Sequence, residues 1–223
     1  MTFSIVARSD DAALFGIAIA SSSPAVAARC SHARAGIGAA ATQNITDPVL
    51  GPRILEALRC GATAAEAVAG VLDSTDFGEY RQLLAIGAQG PPAHHSGLHA
   101  LGMVATAGSR HAVAAGNLLA NRQVPAAMIA AFDSAGGHFG DRLLGALRAG
   151  ALAGGEAGPV HSAGLLVVRE VPWPIIDLRV DWSDADPIAD LDGIWKRYAP
   201  QIEDYVRRAL APQDAPGFGV PGS

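Results

Sequence analysis

Apolar and polar positions alternate from the first residues of the chain. In TFSIVAR (2–8) Phe3, Ile5 and Ala7 share one face, which predicts a strand. Two aspartates turn the chain, and LFGIAIAS (14–21) returns it, so the pair reads as a β-hairpin. AVAARCSHARAGIGAAATQ adds two short apolar runs, read as further strands. Both faces of these strands are apolar, which predicts that both are covered.

The period then changes. Asp47-Pro48 reads as an N-cap with proline at the first helical position, and the helix runs to a stop at Gly61. Thr63 and Glu66 have capping-box spacing ahead of a second helix. Strands are expected at RQLLAIGA, near 93–97, at 101–106 and at HAVAAGN. A second helix pair follows, one from Pro125 and one from about Gly140. VHSAGLLVVRE and DLRVDW read as strands, and Asp186-Pro187 opens a last helix to about Leu210.

Helix pairs bracketing antiparallel strands predict an α+β fold. The favoured arrangement is a four-layer α/β/β/α sandwich of two mainly antiparallel sheets. A ferredoxin-like or other α+β sheet with one helical face is the alternative. One domain is expected over 1–210. The Pro- and Gly-rich stretch 211–223 is expected to be an extended arm placed to lie on a partner subunit of a homo-oligomer.

Composition narrows the function. Half of the 223 residues are hydrophobic but only 5% are aromatic, so the core must be built from small and aliphatic side chains in closely approaching layers. The net charge of −5 argues against nucleic-acid binding. Cys30 and Cys60 have no metal or redox spacing. No basic-then-apolar leader and no clean membrane span are seen, so the reading is cytoplasmic with no membrane partner.

Candidate chemistry begins at Thr2. Taken alone, it is a small polar starter residue. Methionine removal operates when the second residue is small, and it would leave Thr2 with a free α-amine. That residue then carries a hydroxyl nucleophile and its own base, since an α-amine titrates near pH ~8. With Met1 retained, this chemistry does not operate.

The segments TFSIVAR, GIAIASSSPAVA, ARAGIGAAATQ, LGPRILEAL, AAGNLLA, SAGLLVV and DLRVD occur in the order of a bacterial family. Over roughly residues 2–195 the chain resembles domain-of-unknown-function family 1028, within the N-terminal-nucleophile (Ntn) hydrolase superfamily. The resemblance implies the α/β/β/α sandwich and amide-bond hydrolysis through the first mature residue, Thr2. Proteasome-like members keep an Asp after the second strand and a Lys one strand later. Here the second strand ends in Ser21-Ser22-Ser23, and Lys196 is the sole lysine. Arg29 or Arg34 is a candidate for the missing positive charge, and Ser21 and Ser22 for hydrogen bonds to the amine.

Other candidates are weaker. Asn117, at a strand end, is either a turn residue or an oxyanion donor. Gln43 and Asn44 either hold a loop or line a pocket. His94, His95 and His99 resemble a metal cluster, but Pro91, Pro92 and Gly97 disfavour a helix there. His95 is therefore read as a pocket-rim or substrate-binding residue, and no metal or cofactor is expected. Arg179 is either part of a solvated charge ladder with Asp177 and Asp181 or a carboxylate-binding residue. Gly-rich GGEAG (154–158) lacks the context of a phosphate cradle. Two functions are carried forward. One is an Ntn-type amidohydrolase acting on a small amide or ureido compound or a short peptide. The other is a catalytically silent Ntn-fold binding or scaffold protein. Metal-dependent hydrolysis at the histidines is a remote third.

Overall fold

A computed structural model describes residues 1–217. The expected hairpin forms from β1 (Thr2–Arg8) and β2 (Phe15–Ser21), both buried along their whole length. The next run departs from expectation. Val26–Cys30 is a short helix, α1, entered through Ala25 at φ +51°, and only then come β3 (Ser31–Arg34) and β4 (Gly38–Asn44). Alanine-rich AVAARC favours helix as readily as strand, and its apolar run is too short for periodicity to decide.

Helix α2 (Leu50–Arg59) begins two residues later than Asp47-Pro48 suggested. Asp47 Oδ1 accepts from Val49 N at 3.1 Å, so it closes a turn ahead of the helix rather than capping it. Gly61, at φ +94°, ends the segment as expected. The capping box of α3 (Ala64–Asp73) is present in both directions, Thr63 to Glu66 and back. Strand β5 (Arg81–Gly87), β6 (Ala93–Ser96), β7 (Ala105–Gly108) and β8 (Ala112–Asn117) follow. The strand expected at 101–106 thus starts at 105, because 97–104 is a loop across the sheet ends.

Helices α4 (Val124–Ser134) and α5 (Phe139–Leu152) form the second pair, and β9 (Ser162–Val168) and β10 (Ile176–Val180) the last strands. Asp186 caps α6 (Pro187–Tyr198) through bonds from Ile188 N and Ala189 N. The single long helix expected up to Leu210 is broken. Pro200 lies in a 3₁₀ turn, Ala199–Gln201, and α7 (Ile202–Leu210) restarts after it. Residues 212–214 make one more 3₁₀ turn, and the expected arm lies outside the described residues from 218 onward.

Among the described residues all strand pairs are antiparallel, in two sheets. The first has the order β10-β9-β2-β1-β8-β7 and the second β3-β4-β5-β6. Strand alternation sorts the core into three clusters. Phe3, Ile5 and Ala7 point from the first sheet to Met128 and Phe132 of α4 and Leu143 and Leu147 of α5. Val6, Phe15, Ile17 and Ile19 face Ala39, Ala41, Leu84 and Ile86 of the second sheet. Leu83 and Ala85 pack on Ile54 of α2 and Val68 of α3. Burying each large aliphatic or aromatic side chain contributes about 1.5–3 kcal/mol. The layers approach as closely as the composition required: a Cβ on Gly150 of α5 would meet Met128 Cγ at 2.8 Å and Phe3 Cδ2 at 3.2 Å. No helix among the described residues is long and apolar enough to cross a membrane.

Candidate active site

The space between the sheets is apolar along most of its length, with Arg8 bridging the sheets at one end and a cluster of polar side chains at the other. Thr2 opens β1 and is paired with Asn117, which closes β8. Phe3 pairs with Ala20, so Ser21 at the end of β2 lies beside Thr2, and Ser21 in turn pairs with Ser162 of β9. Across the gap, Gln43 of β4 pairs with Gln82 of β5, and Gln82 with Ser96 of β6. Because Phe3, Ile5 and Ala7 face the helices, Thr2 and Ser4 face the second sheet. Thr2, Ser4, Ser21, Gln43, Gln82, Asn117 and Ser162 are all buried.

These side chains form a connected amide ladder. Ser4 Oγ donates to Gln43 Oε1 at 2.7 Å, and Gln43 Nε2 donates to Gln82 Oε1 at 2.7 Å. Asn117 Nδ2 donates to the same Gln82 oxygen at 3.1 Å. Gln82 Nε2 donates to Ser96 Oγ at 2.9 Å and to the Gly116 carbonyl at 3.2 Å. The donor that the sequence offered for an oxyanion is therefore engaged with Gln82. The free atom of Asn117 is Oδ1, a buried acceptor with no partner. Such an atom suits an N–H rather than an oxyanion. Leu118, immediately after it, takes φ +50°, a conformation costing a non-glycine residue about 1–3 kcal/mol.

The hydroxyls converge on Met1. Thr2 Oγ1 donates to the Met1 carbonyl at 2.5 Å, and Ser21 Oγ donates to the same oxygen. The two hydroxyl oxygens are 3.3 Å apart. Ser21 also bonds Ser23 Oγ at 2.8 Å. The Met1 side chain lies against Gly158, where a Cβ would meet Met1 Cε at 3.1 Å.

Glu156, which the sequence did not single out, completes the group. It is buried, and both carboxylate oxygens accept from Ser22 N, at 3.1 and 3.2 Å. Burial pushes its pKa up to about 7, against the opposing pull of the chain's amino terminus, the Ser22 hydrogen bonds and His161. His161 N donates to the Ser21 carbonyl at 2.9 Å, and its ring stacks on Trp182 at 4.2 Å between centroids. A lone acid amid glycine and alanine was the available signal for Glu156. Gln82 carried another, as a polar residue on the same strand face as Leu84 and Ile86.

The remaining candidates divide. Ser22 reaches the site through both its backbone N–H and its side chain, which bond Glu156. Arg29 lies behind the serine run, donating to the Pro24 carbonyl at 2.6 Å and reaching Ser23 Oγ at 3.4 Å. Arg34 is elsewhere, in an exposed pair with Glu56. Asn44 clamps loops: it donates to Tyr80 O and accepts from Leu101 N. His94 and His95 line a cavity of about 590 Å³ between the edge strands β6 and β7, with Ser96, Thr106 and Arg122. Ser96 joins this cavity to the amide ladder. His95 Nε2 is 3.1 Å from the Gly78 carbonyl, and His99 packs on Tyr80 instead. Among the described residues no group of three or more His, Cys, Asp or Glu is placed to hold a metal ion. Arg179 is exposed on the edge strand β10, 3.9 Å from Asp181, with β9 and β2 between it and Thr2. A cavity of about 530 Å³ at the opposite end of the second sheet, near Gly36, Leu58, Thr63 and Gly87, is lined by none of the buried polar side chains.

Residues 2–191 match a family of unknown function, DUF1028. A crystal structure of a protein of that family from Silicibacter pomeroyi is 29% identical. The match covers 91% of this chain and 94% of that one, with a TM-score of 0.83. Anbu (ancestral beta-subunit) from Yersinia bercovieri aligns over 98% of this chain and 100% of its own, at 15% identity and a TM-score of 0.39. No curated protein matches the chain.

Proposed function

This chain belongs to DUF1028, a family of unknown function, and on that premise we propose that it is an Ntn-type amidohydrolase whose nucleophile is Thr2. The two antiparallel sheets packed face to face, with α4 and α5 against the first and α2 and α3 against the second, support the α/β/β/α sandwich that this reading requires. The observation that carries it is the convergence of the Thr2 and Ser21 hydroxyls on the Met1 carbonyl. Loss of Met1 frees both hydroxyls at once and turns the Thr2 amide into an amine.

In the reaction, Thr2 Oγ attacks the carbonyl carbon of an amide or ureido group while its proton passes to the α-amine. The C–N bond breaks as that proton moves to the leaving nitrogen. Water then hydrolyses the ester on Oγ. Ser21 is placed to donate to the substrate oxygen, and Asn117 Oδ1 to accept from a substrate N–H or from the amine. The cavity lined by His94, His95 and Arg122 is the polar approach for a small substrate.

The competing reading, a silent Ntn-fold binding or scaffold protein, draws on the same carbonyl, since with Met1 in place both hydroxyls are occupied. Intact mass and a panel of amides and ureides decide between them. Turnover by the Met1-processed chain and none by a Met1-retaining one is the expected result. Equal turnover by both forms removes Thr2 as nucleophile.

A further inference from the structure

We infer that Glu156 is the positioning residue of the catalytic amine: after Met1 is lost, its buried carboxylate orients the α-amine of Thr2 and stabilises the ammonium formed when that amine takes the Oγ proton. The inference rests on the nucleophile reading above.

Placement comes first. Gly154 (φ +123°) and Gly155 (φ +57°) turn the chain after α5. Ala120 N donates to Gly155 O at 3.0 Å and Ala157 N to Leu118 O at 2.9 Å, so residue 156 is clipped on both sides to the segment that leaves Asn117. Its carboxylate therefore has a fixed origin beside the ends of β1, β2 and β8. The bonds from Ser22 N hold it in one orientation, next to the serine that already touches Thr2.

Charge comes second. A buried carboxylate without a counter-charge is costly. Glu156 makes no ion pair among the described residues. The cations around it are few. Arg29, on α1, is bound to the carbonyls of Pro24 and Ala25. His161, at the start of β9, has Nδ1 2.9 Å from the Ser183 carbonyl and its ring on Trp182. Of the two positive charges that Glu156 feels, the amino terminus of the chain acts more strongly than His161.

Chemistry comes third. When the amine takes the Oγ proton, a cation appears in a buried site. A fixed carboxylate stabilises that cation, as the aspartate of a Ser-His-Asp triad stabilises its imidazolium without itself taking the proton. Glu156 acts in its ionised form and takes no proton from Oγ. The proton runs from Oγ to the amine and on to the leaving nitrogen.

The experiment uses the full-length, Met1-processed chain as wild type, Glu156→Gln and Glu156→Asp. The probe is 4-nitrophenyl acetate, with the acetyl site located by peptide mass and the rate followed from pH 5 to 10. Wild type should be acetylated at Thr2. Glu156→Gln should react on the order of 10²-fold more slowly or worse. Its acidic limb should move to lower pH, because an amine without the neighbouring anion loses its proton more easily. Glu156→Asp should fall between the two. A Glu156→Gln variant with wild-type rate and limb overturns the inference and leaves Thr2 standing. Absence of acetyl on wild-type Thr2 overturns the nucleophile reading, and this inference with it. Where Glu156→Gln does not fold, NMR titration of wild type decides: the Thr2 ¹⁵N and Glu156 carboxyl ¹³C signals should each respond to both ionisations. Independent midpoints overturn the coupling.

Discussion

Strand β1 is buried at both ends, and each end carries a polar side chain. Thr2 is 5% exposed and Arg8 7%. At the Arg8 end the polar atoms close on backbone: Nη1 donates to the Gly87 carbonyl at 2.7 Å and Nη2 to the Arg110 carbonyl at 3.3 Å. This stitches the two sheets together and leaves no buried side-chain atom of Arg8 without a partner. At the Thr2 end the polar groups bond one another and converge on the first peptide, and one acceptor, Asn117 Oδ1, stays unmatched. Burial of polar side chains is thus common to both ends. What separates structure from chemistry here is whether the bonding closes on backbone or leaves groups aimed at a replaceable atom.

That contrast can be broken in four ways. Thr2→Ala, in processed protein, should lower acylation by at least about 10³-fold while the chain still folds. Retained reactivity, read by the ester assay, would move the chemistry elsewhere. Gln82→Leu leaves Gln43 Nε2, Asn117 Nδ2 and Ser96 Oγ without their partner, and should cost about 3 kcal/mol or more in urea unfolding. A loss under about 1 kcal/mol would mean that the ladder is not coupled.

Glu156 gives the third test, through pH. Its pKa is raised from 4.5 to about 7 in the folded chain, so the folded state binds the proton more tightly. The stability this contributes is complete below the unfolded value and is lost as pH rises through about 7. The stability difference between wild type and Glu156→Gln should therefore shift against wild type by up to about 1.4 kcal/mol per pKa unit across that window. A difference that does not vary with pH contradicts it. Last, Arg8→Met should cost about 1–3 kcal/mol through the two orphaned carbonyls, with Thr2 acylation unchanged. A kinetic effect there would erase the distinction between the ends.

Much of this architecture is local and was legible. Alternation marked β1 and β2, and Thr63 with Glu66 marked the start of α3. Errors fell where two local rules compete. Asp47-Pro48 satisfies both a cap and a turn, AVAARC suits helix or strand, and Pro200 broke a helix whose apolar pattern continues past it. The site was half legible. Thr2, Ser21, Gln43 and Asn117 sit at strand ends that register brings together. Glu156 was hidden because its partner Ser22 N lies 134 residues away in sequence, and no spacing rule spans that distance. Arg179 misled because an exposed charge on an edge strand and a substrate contact have the same local pattern.

The stack of His161 on Trp182 makes the site optically visible. Trp182 is half-exposed, whereas Trp195 is buried with its indole N–H bonded to Asp141, and Trp173 is 36% exposed. Indole emission responds to the charge on a ring held flat against it, and the His161 backbone is bonded to Ser21. Removing the other two tryptophans leaves Trp182 as the one indole, stacked on a histidine whose backbone bonds Ser21. Its emission would follow the arrival of a small molecule at Thr2 without a chromogenic substrate, so a ligand library could be screened before any reaction is known.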